Sequence, residues 1–425
     1  MKTLRDEVDV VVAGGGTAGH IAALQAARAG AKTSVIEAGS MLAGTMTAGG
    51  VNTPNHFHST LGPVVQGIPW ELFTKSKQIE GLPIPDYKLR RPVETPGYYS
   101  YINIPIYVAV VESEAQKAGL IIHYHEIITD IQAVGDNWEI TSIGRGIERI
   151  TRAREVIDCT GDSDLVRLLG LGTLRDETRQ PGSYQFIFEG IRHEQIWEKE
   201  VQVLYEEALE NGTLQKGDFS YPNILPFKYL LDMGGRNCTH IYNSDTSDAE
   251  GQTAANLEGR ERMLRVYRFL KSTIPGCENL ELSTMYPRAV ARETFRIEGE
   301  YIISEGDFKN AVDFEDKICN AFNYIDMHSE ERGCDLFFHD SEEMLPKVPF
   351  RALIPKGSSR ITAAGRIVSA QRVALAGIRA MCVCMAMGQA MGAAAALAVE
   401  RKIPSREISP EDIVALTVEH GAVKV

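Results

Sequence analysis

No C-x-x-C pair occurs in this 425-residue sequence, although it contains seven cysteines. Zinc ribbons, iron–sulfur clusters and dithiol redox motifs therefore lack their usual ligand spacing, and no metal site is expected. The cysteines stand at 159, 238, 277, 319, 334, 382 and 384. An odd, scattered set of this kind suits a reducing cytoplasm better than a disulfide framework. Positive charge is also scarce: 44 Lys and Arg against 57 Asp and Glu give a formal net charge of −13. That balance argues against nucleic acid or an anionic membrane as a general partner. An anionic substrate would need a local basic pocket. Internal repeats, low-complexity tracts and long linkers are missing too. The first strand-like run starts within ten residues of Met1, leaving no room for a signal peptide, and the expected location is the cytoplasm. One uncharged stretch, Ala380 to Val399, is twenty residues long. It is mostly Ala, Gly and Met with Gln389 inside, so a buried helix is expected rather than a membrane span.

What is present has the composition of a globular protein, 44% apolar and 24% charged, long enough for two or three domains. Asp9 to Glu37 reads as a strand, a glycine turn, an alanine-rich helix and a second strand closing on an acid. Gly14 permits the tight turn, Gly16 lets backbone approach a pyrophosphate, and Gly19 lets the helix lie close on the sheet. The helix N-terminus then offers free N–H groups and a positive dipole end to phosphates. Glu37, eighteen residues beyond Gly19, is placed to accept hydrogen bonds from the adenosine ribose. The register of all these parts points to a dinucleotide site rather than to a glycine turn in an ordinary βαβ unit.

Downstream, Gly39 to Gly50 is a glycine- and threonine-rich loop, and Val51 to Pro105 is irregular, suggesting a lid or substrate-side excursion. This excursion holds His56, His58, Trp70 and a cluster of Tyr98, Tyr99 and Tyr101. Ile106 to Lys117 predicts a helix. Ile121–His125, Ile127–Val134, Trp138–Ile143 and Glu148–Ala153 predict short strands, and Glu155 to Asp162 a buried strand running into a second glycine turn. Gln195–Asn211 and Ala255–Thr273 predict amphipathic helices. Thr284–Ile303 is read as extended, with a helix from about Phe308, a strand ending in glycine at 360–366, and helix over Ala374–Glu400. The fold class is thus α/β, a Rossmann-like parallel sheet with helices assembled from discontinuous segments, plus an inserted α+β substrate or cap domain. The expected boundaries are 1–175 (with 51–105 as the lid) and 346–425 for the nucleotide domain, and 176–345 for the insertion.

Together the pieces resemble the FAD-dependent oxidoreductases of the glutathione-reductase structural class. Within it the chain is most like a broad bacterial group labelled simply FAD-dependent oxidoreductase, related more distantly to fumarate reductase flavoproteins. The resemblance rests on Gly14–Gly19 with Glu37, Gly44–Gly50, Ile157–Asp162, Asn256–Arg260, Ile274–Asn279, Arg292–Tyr301, Ile325–His328, Ala364–Ser369 and Cys384–Gly392. Two departures stand out. Phe295-Arg296 replaces the family's adjacent arginines, and Met391 replaces a small residue, which is expected to narrow the space beside the flavin.

The resemblance implies FAD, bound non-covalently. Gly14, Gly16, Thr17, Ala18 and Gly19 would hold the pyrophosphate, and Glu37 with Ala38 the ribose. Gly44, Thr45, Met46 and Thr47 would line the ribitol, with Gly49 and Gly50 against the ring. Ile128 would serve the adenine, with Thr160 and Gly161 packed near it, and Gly365 and Arg366 would approach the phosphates. A helix opening at Gly388, Gln389 and Ala390 would aim its N-terminus at the flavin N1/C2=O edge, favouring the negative charge of the reduced ring; simple close packing by Gly388 and Gly392 is the alternative. It also implies a two-electron oxidoreductase acting on a small polar substrate, anionic or sugar-like, with an unnamed electron partner. Oxidation of a CH–OH or CH–CH group is the first reading and fumarate-reductase-like C=C reduction the second. A flavin-binding subunit without its own turnover and an NAD-dependent dehydrogenase are the rivals, and a homo-oligomer is compatible with any of these.

The residues themselves offer candidates for the chemistry. Arg288, Arg292 and Arg296 recur every fourth residue, which places them on one face of a strand and roughly one face of a helix. Three guanidiniums there suit a carboxylate, Arg292 and Arg296 foremost; pairing with Glu293, Glu298 and Glu300 is the structural alternative. His328, read as closing an Ile-Asp-Met-His turn, and His56 are candidate bases for an alcohol proton. His56 and His58 are also the residues through which a covalent flavin link would run.

Overall fold

The computed structural model describes residues 1–59, 61–84 and 100–425. Its centre is a five-stranded sheet in the order Ile361–Ala363, Glu155–Asp158, Val10–Ala13, Thr33–Glu37, Ile121–Tyr124. Every neighbouring pair is parallel. Val10, Val11, Val12 and Ala13 are fully buried, as a strand covered on both faces requires. The mixed α/β fold with a parallel sheet drawn from three distant segments is therefore present. A second sheet, in the order Lys2–Glu7, Ile147–Ala153, Asn137–Gly144, Glu126–Val134, covers one side.

Helix α1 (Gly19–Arg28) follows the first glycine turn. In the excursion, the sequence reading missed α2 (Ile68–Glu80), which opens after Gly67 with Pro69 in its first turn and stops at Gly81 in the left-handed region. Proline in the first turn and glycine after the last were its signals; Leu72 and Phe73 are its core face. Helix α3 (Ile104–Lys117) follows, then α4 (Glu198–Glu210) and α5 (Ala249–Thr273).

Three other expectations need correction. Of Thr284–Ile303, only the end of a strand at Glu281–Met285 and the pair Arg296–Ile297 are regular, because long-range side-chain contacts hold the intervening backbone. The helix near Phe308 is one short segment, Glu305–Lys309, started by a Ser304/Asp307 capping box and ended by Ala311 at φ 46°. Ile325–His328 is no turn but part of a strand, Ile325–Ser329, in a hairpin with Gly333–Phe337.

Among the described residues four apolar clusters form, two of them large. The larger joins the central sheet, α1, α3 and the C-terminal region, and reaches out to Ile303, Phe308, Ile318 and Val348. The other is drawn only from residues between Tyr184 and Ala289, with stacked Tyr205 and Phe227 at its middle. Helix α6 (Met381–Arg401) is long and apolar enough to cross a membrane by length and composition, but 89% of its most apolar window is buried inside the protein. It lies against α1 so tightly that a Cβ on Gly388 would sit 2.2 Å from the Ala18 carbonyl oxygen, and one on Gly392 2.3 Å from that of Ala22.

Candidate active site

A cavity of about 350 Å³ runs between the central sheet and the second core. One wall is the first glycine turn. Gly14 sits at φ +85°, where a Cβ would press on the Cys159 carbonyl at 2.6 Å. At Gly16 the nearest atom to such a Cβ is 3.9 Å away, so the backbone is open to the cavity where a pyrophosphate must approach. The N-terminal end of α1 stands at that opening through Thr17 and Ala18, with its positive dipole end toward it; the His20 amide is taken by the Gly16 carbonyl at 3.1 Å. Glu37, at the end of its strand, accepts from the Gly15 amide at 2.8 Å and the Gly39 amide at 2.7 Å. The acid thus fixes the turn beside which a ribose would lie.

The second wall is the Thr160–Asp162 turn. Buried Asp158 accepts from Thr160 N and Oγ1 and from the amides of Leu165 and Val166. Arg366 donates to the Gly161 carbonyl at 2.7 Å and to Asp162 at 2.9 Å, tying this turn to the glycine end of the 361–363 strand. Gly44, Thr45 and Gly50 complete this end, and Gly365 lies across from Ala18.

Several predicted contacts lie elsewhere. Gly14 and Gly19 shape the turn from behind, while Met46 and Thr47 are buried in their loop, Thr47 Oγ1 donating to the Leu42 carbonyl at 2.5 Å. Gly49 is packed on Val290, Ala38 is exposed, and Ile128 is in the outer sheet; none of the three lines the cavity. Helix α6 opens at Met381, seven residues before Gly388, so Gly388, Gln389 and Ala390 are mid-helix. Close packing on α1 is what they provide, with Gln389 bonded to Gln25. The helix end that does reach the cavity is Ala380–Met381. Met391 is fully buried and does not narrow the cavity.

At the far end of the cavity are Arg292, Arg379, Asp326, Tyr221 and His56. Arg292 donates through Nη1 to the Pro181 carbonyl at 2.7 Å and Ser183 Oγ at 2.9 Å. Arg288 also lines the cavity, near Gly44. Arg296 does not: it turns away to Asp176 at 2.5 Å, so the three arginines share no face. Phe295, in place of a family arginine, is sandwiched between Arg167 and Arg175, whose guanidinium carbons stand 4.1 and 4.3 Å from the ring centroid.

His328 is fully buried behind this end and does not touch the cavity. Its Nε2 lies 2.8 Å from Asp326 Oδ1 and its Nδ1 2.8 Å from His240 Nε2. Donation from Nε2 to the carboxylate leaves Nδ1 to accept from His240, whose own Nδ1 has no hydrogen-bond partner among the described residues. Burial, helped by Arg292, lowers the His328 pKa to about 4 and pushes that of His240 well below its usual value, so both rings are neutral near pH 7. Burial works to raise the Asp326 pKa, but the His328 hydrogen bond and the guanidiniums of Arg379 and Arg292 outweigh it and keep the carboxyl ionised. Asp326, His328 and Cys334 also bring three metal-ligating atoms within 4.8 Å of one another. The two facing guanidiniums oppose a cation there, and a hydrogen-bonded cluster explains the geometry.

His56 lines the cavity directly, in the left-handed region at φ 71° and edge-on to Phe322 and Tyr324. Burial lowers its pKa to about 4. His58 instead bonds Gln66 at 3.2 Å and packs on Trp70. Tyr101 reaches the cavity; Tyr98 and Tyr99 lie outside the described residues. The sequence reading missed Asp326, Arg379, Tyr221 and His240. Asp326 had a signal, since it is two residues from His328 on a strand. His240 had none.

The sequence pattern of the family described as FAD dependent oxidoreductase matches residues 9–416. The chain belongs to this family. FAD is accordingly its cofactor, and the open backbone at Gly16, the adjoining N-terminal end of α1 and the two further glycine turns fit a dinucleotide. No curated protein matches the chain. Among solved structures, it is similar to an anhydrotetracycline hydroxylase from Streptomyces rimosus, at 15% identity and TM-score 0.31, over 45% of this chain and 41% of that one. The chain thus spans about two-fifths of that protein's length. A geranylgeranyl bacteriochlorophyll reductase-like protein from Thermoplasma acidophilum is similar at 12% identity and TM-score 0.45, over 98% and 83%. A p-nitrophenol 4-monooxygenase from Pseudomonas putida is similar at 12% identity and TM-score 0.39, over 99% and 85%.

Proposed function

We propose that this FAD-dependent oxidoreductase oxidises a CH–OH group of a small polar molecule held at the far end of the cavity. The observation that carries the reading is continuity. One cavity is lined at one end by Gly16–Ala18, Thr160–Asp162 and Gly365, and at the other by Arg292, Arg379, Asp326 and His56. FAD, when bound, supplies the two-electron acceptor for the hydride leaving the carbon. The chain's own residues handle the remainder. His56, neutral at pH 7, accepts the hydroxyl proton as the carbonyl forms. Its left-handed backbone is the kind of local strain that surrounding structure maintains at working sites. Asp326, held by His328 and Arg379, orients the polar groups of the substrate; His328 acts through it as a positioning residue.

A second reading, reduction of an activated C=C bond with Arg292 delivering the proton, is favoured by one observation. Burial and then Arg379 lower the Arg292 pKa, easing proton release. Anaerobic stopped-flow mixing with hydroxy acids, sugars and activated alkenes separates the two. Bleaching of the oxidised flavin by a hydroxy compound supports oxidation, and reoxidation of the reduced flavin by an alkene supports the reverse. Silence with every donor overturns the first reading.

A further inference from the structure

The guanidiniums around the cavity differ in what neutralises them. Arg366 has Asp162 at 2.9 Å and Arg379 has Asp326 at 3.6 Å. One layer out, Arg296 has Asp176 at 2.5 Å and Arg372 has Glu293 at 2.7 Å. Arg292, Arg288 and Arg236, which also line the cavity, make no ion pair among the described residues; Arg288 lies by Gly44 and Arg236 donates to the Met233 carbonyl, so Arg292 is the one of the three beside Asp326 and Arg379. Its two hydrogen bonds go to neutral acceptors, both from Nη1, which leaves Nη2 and Nε open to the cavity it lines. Asp326 acts on Arg292 only at longer range than an ion pair, and a partly buried cation short of close counter-charge is relieved by an arriving anion. The planar fork is matched to a carboxylate, which it binds through two parallel hydrogen bonds.

We propose that Arg292, with Arg379 beside it, binds the carboxylate of a small organic acid, so that the substrate is a low-molecular-weight carboxylic acid rather than a neutral sugar or alcohol. The inference rests on the functional reading above only in placing substrate at this end; it assigns Arg292 to binding and not to the proton delivery of the alternative reading. A cofactor phosphate is the other anion available. It is served by the N-terminal end of α1 and by Arg288, whose guanidinium reaches within 3.7 Å of the Gly44 Cβ position. Arg292 instead is anchored to Pro181 and Ser183, beside Tyr221 and Asp326. Burial and Arg379 already depress its pKa, so a second negative group beyond Asp326 would relieve two guanidiniums at once.

The test titrates the FAD-loaded protein with acetate, malonate and the neutral malonamide, read by perturbation of the visible flavin spectrum and by calorimetry. At least one carboxylate is expected to bind, malonamide is not, and the affinity should fall with added salt. Arg292→Leu should weaken carboxylate binding by at least about tenfold with FAD content unchanged, and Arg292→Lys should recover only part of it. Equal affinity in the Leu variant, or binding of malonamide as tight as malonate, overturns the proposal. So does loss of FAD from both Arg292 variants, which would assign the guanidinium to the cofactor. Should the Leu variant lack a native melt, the Lys variant gives the same reading at a smaller shift. Carboxylate binding without any flavin reduction would count against the functional reading alone.

Discussion

Around Gly16 the cavity wall is backbone, and around Arg292 it is side chain. At the first end, amides and carbonyls of three glycine turns face the opening, and the side chains that matter, Glu37, Asp158 and Arg366, work by holding those turns. At the second end, Arg292, Arg379, Asp326 and His56 reach in from four separate stretches; Arg379 and Asp326 hold each other, Arg292 is held by Pro181 and Ser183, and His56 packs on Phe322 and Tyr324. A wall of backbone suits a ligand that never changes, since every part of it depends on sterics that few substitutions leave intact. A wall of side chains can be exchanged residue by residue, which is how one fold hosts many chemistries.

The contrast breaks most readily at the glycine turn. A Cβ at Gly19 would meet the Gly14 carbonyl oxygen at 1.8 Å, so Gly19→Val must push α1 off the sheet. Overpacking of this kind costs about 1–3 kcal/mol or more, and the expected result is protein purified without flavin absorbance. A Gly19→Val protein that keeps a full complement of FAD would show that the backbone wall is not what binds it. The far end should behave oppositely. His56→Gln should retain FAD and lose roughly 10²–10⁴-fold in turnover, the usual contribution of a positioned base. Flavin content and single-turnover reduction measured on the same sample separate the two effects.

The same division explains what could be read from the sequence. Gly14, Gly16, Gly19 and Glu37 lie within one βαβ unit, where spacing alone fixes geometry, and the turns near 161 and 365 repeat the strand–glycine signature. Arg288, Arg292 and Arg296 misled because regular spacing implies a shared face only where the backbone is regular, and here it is regular only at Arg296–Ile297. Gly388 misled for a related reason. A glycine on a small-residue helix marks either a helix start or a close helix contact, and only the start at Met381 decides between them. The Asp326–His328–His240 chain joins residues 88 apart, which no local pattern reports.

A smaller effect, and a pH dependence, should follow from that chain. His328→Phe removes the donor to Asp326 and leaves the His240 N–H buried without an acceptor, a loss of about 1–3 kcal/mol in unfolding free energy. His328 has a folded pKa near 4 against 6.5 for the free side chain. The unfolded chain therefore takes up its proton first as pH falls. Stability from this group is complete above pH 6.5 and drains away toward pH 4. Glu155 runs the other way, because burial raises its pKa from 4.5 to about 7, so its contribution is lost as pH rises through that range. Subtracting the His328→Phe melting curve from that of the parent isolates the histidine, and the difference should shrink between pH 6.5 and 4. A difference that grows on acidification would mean that His328 is charged in the native state.

The smallest expected effect sharpens the comparison at Phe295, which belongs to neither wall. Its ring separates Arg167 from Arg175, and an exposed or half-exposed guanidinium over an aromatic face is worth about 0.5–1 kcal/mol. Phe295→Leu keeps an apolar side chain and removes both contacts, so a loss of roughly 1–2 kcal/mol is expected, with FAD content and turnover unchanged. Phe295→Arg would place a third guanidinium between two others and should destabilise more, despite restoring the pair of arginines typical of relatives. If that variant were instead neutral and bound carboxylates more tightly, the anion site would extend to this segment, and Arg292 would no longer be the cation on which the far wall is organised.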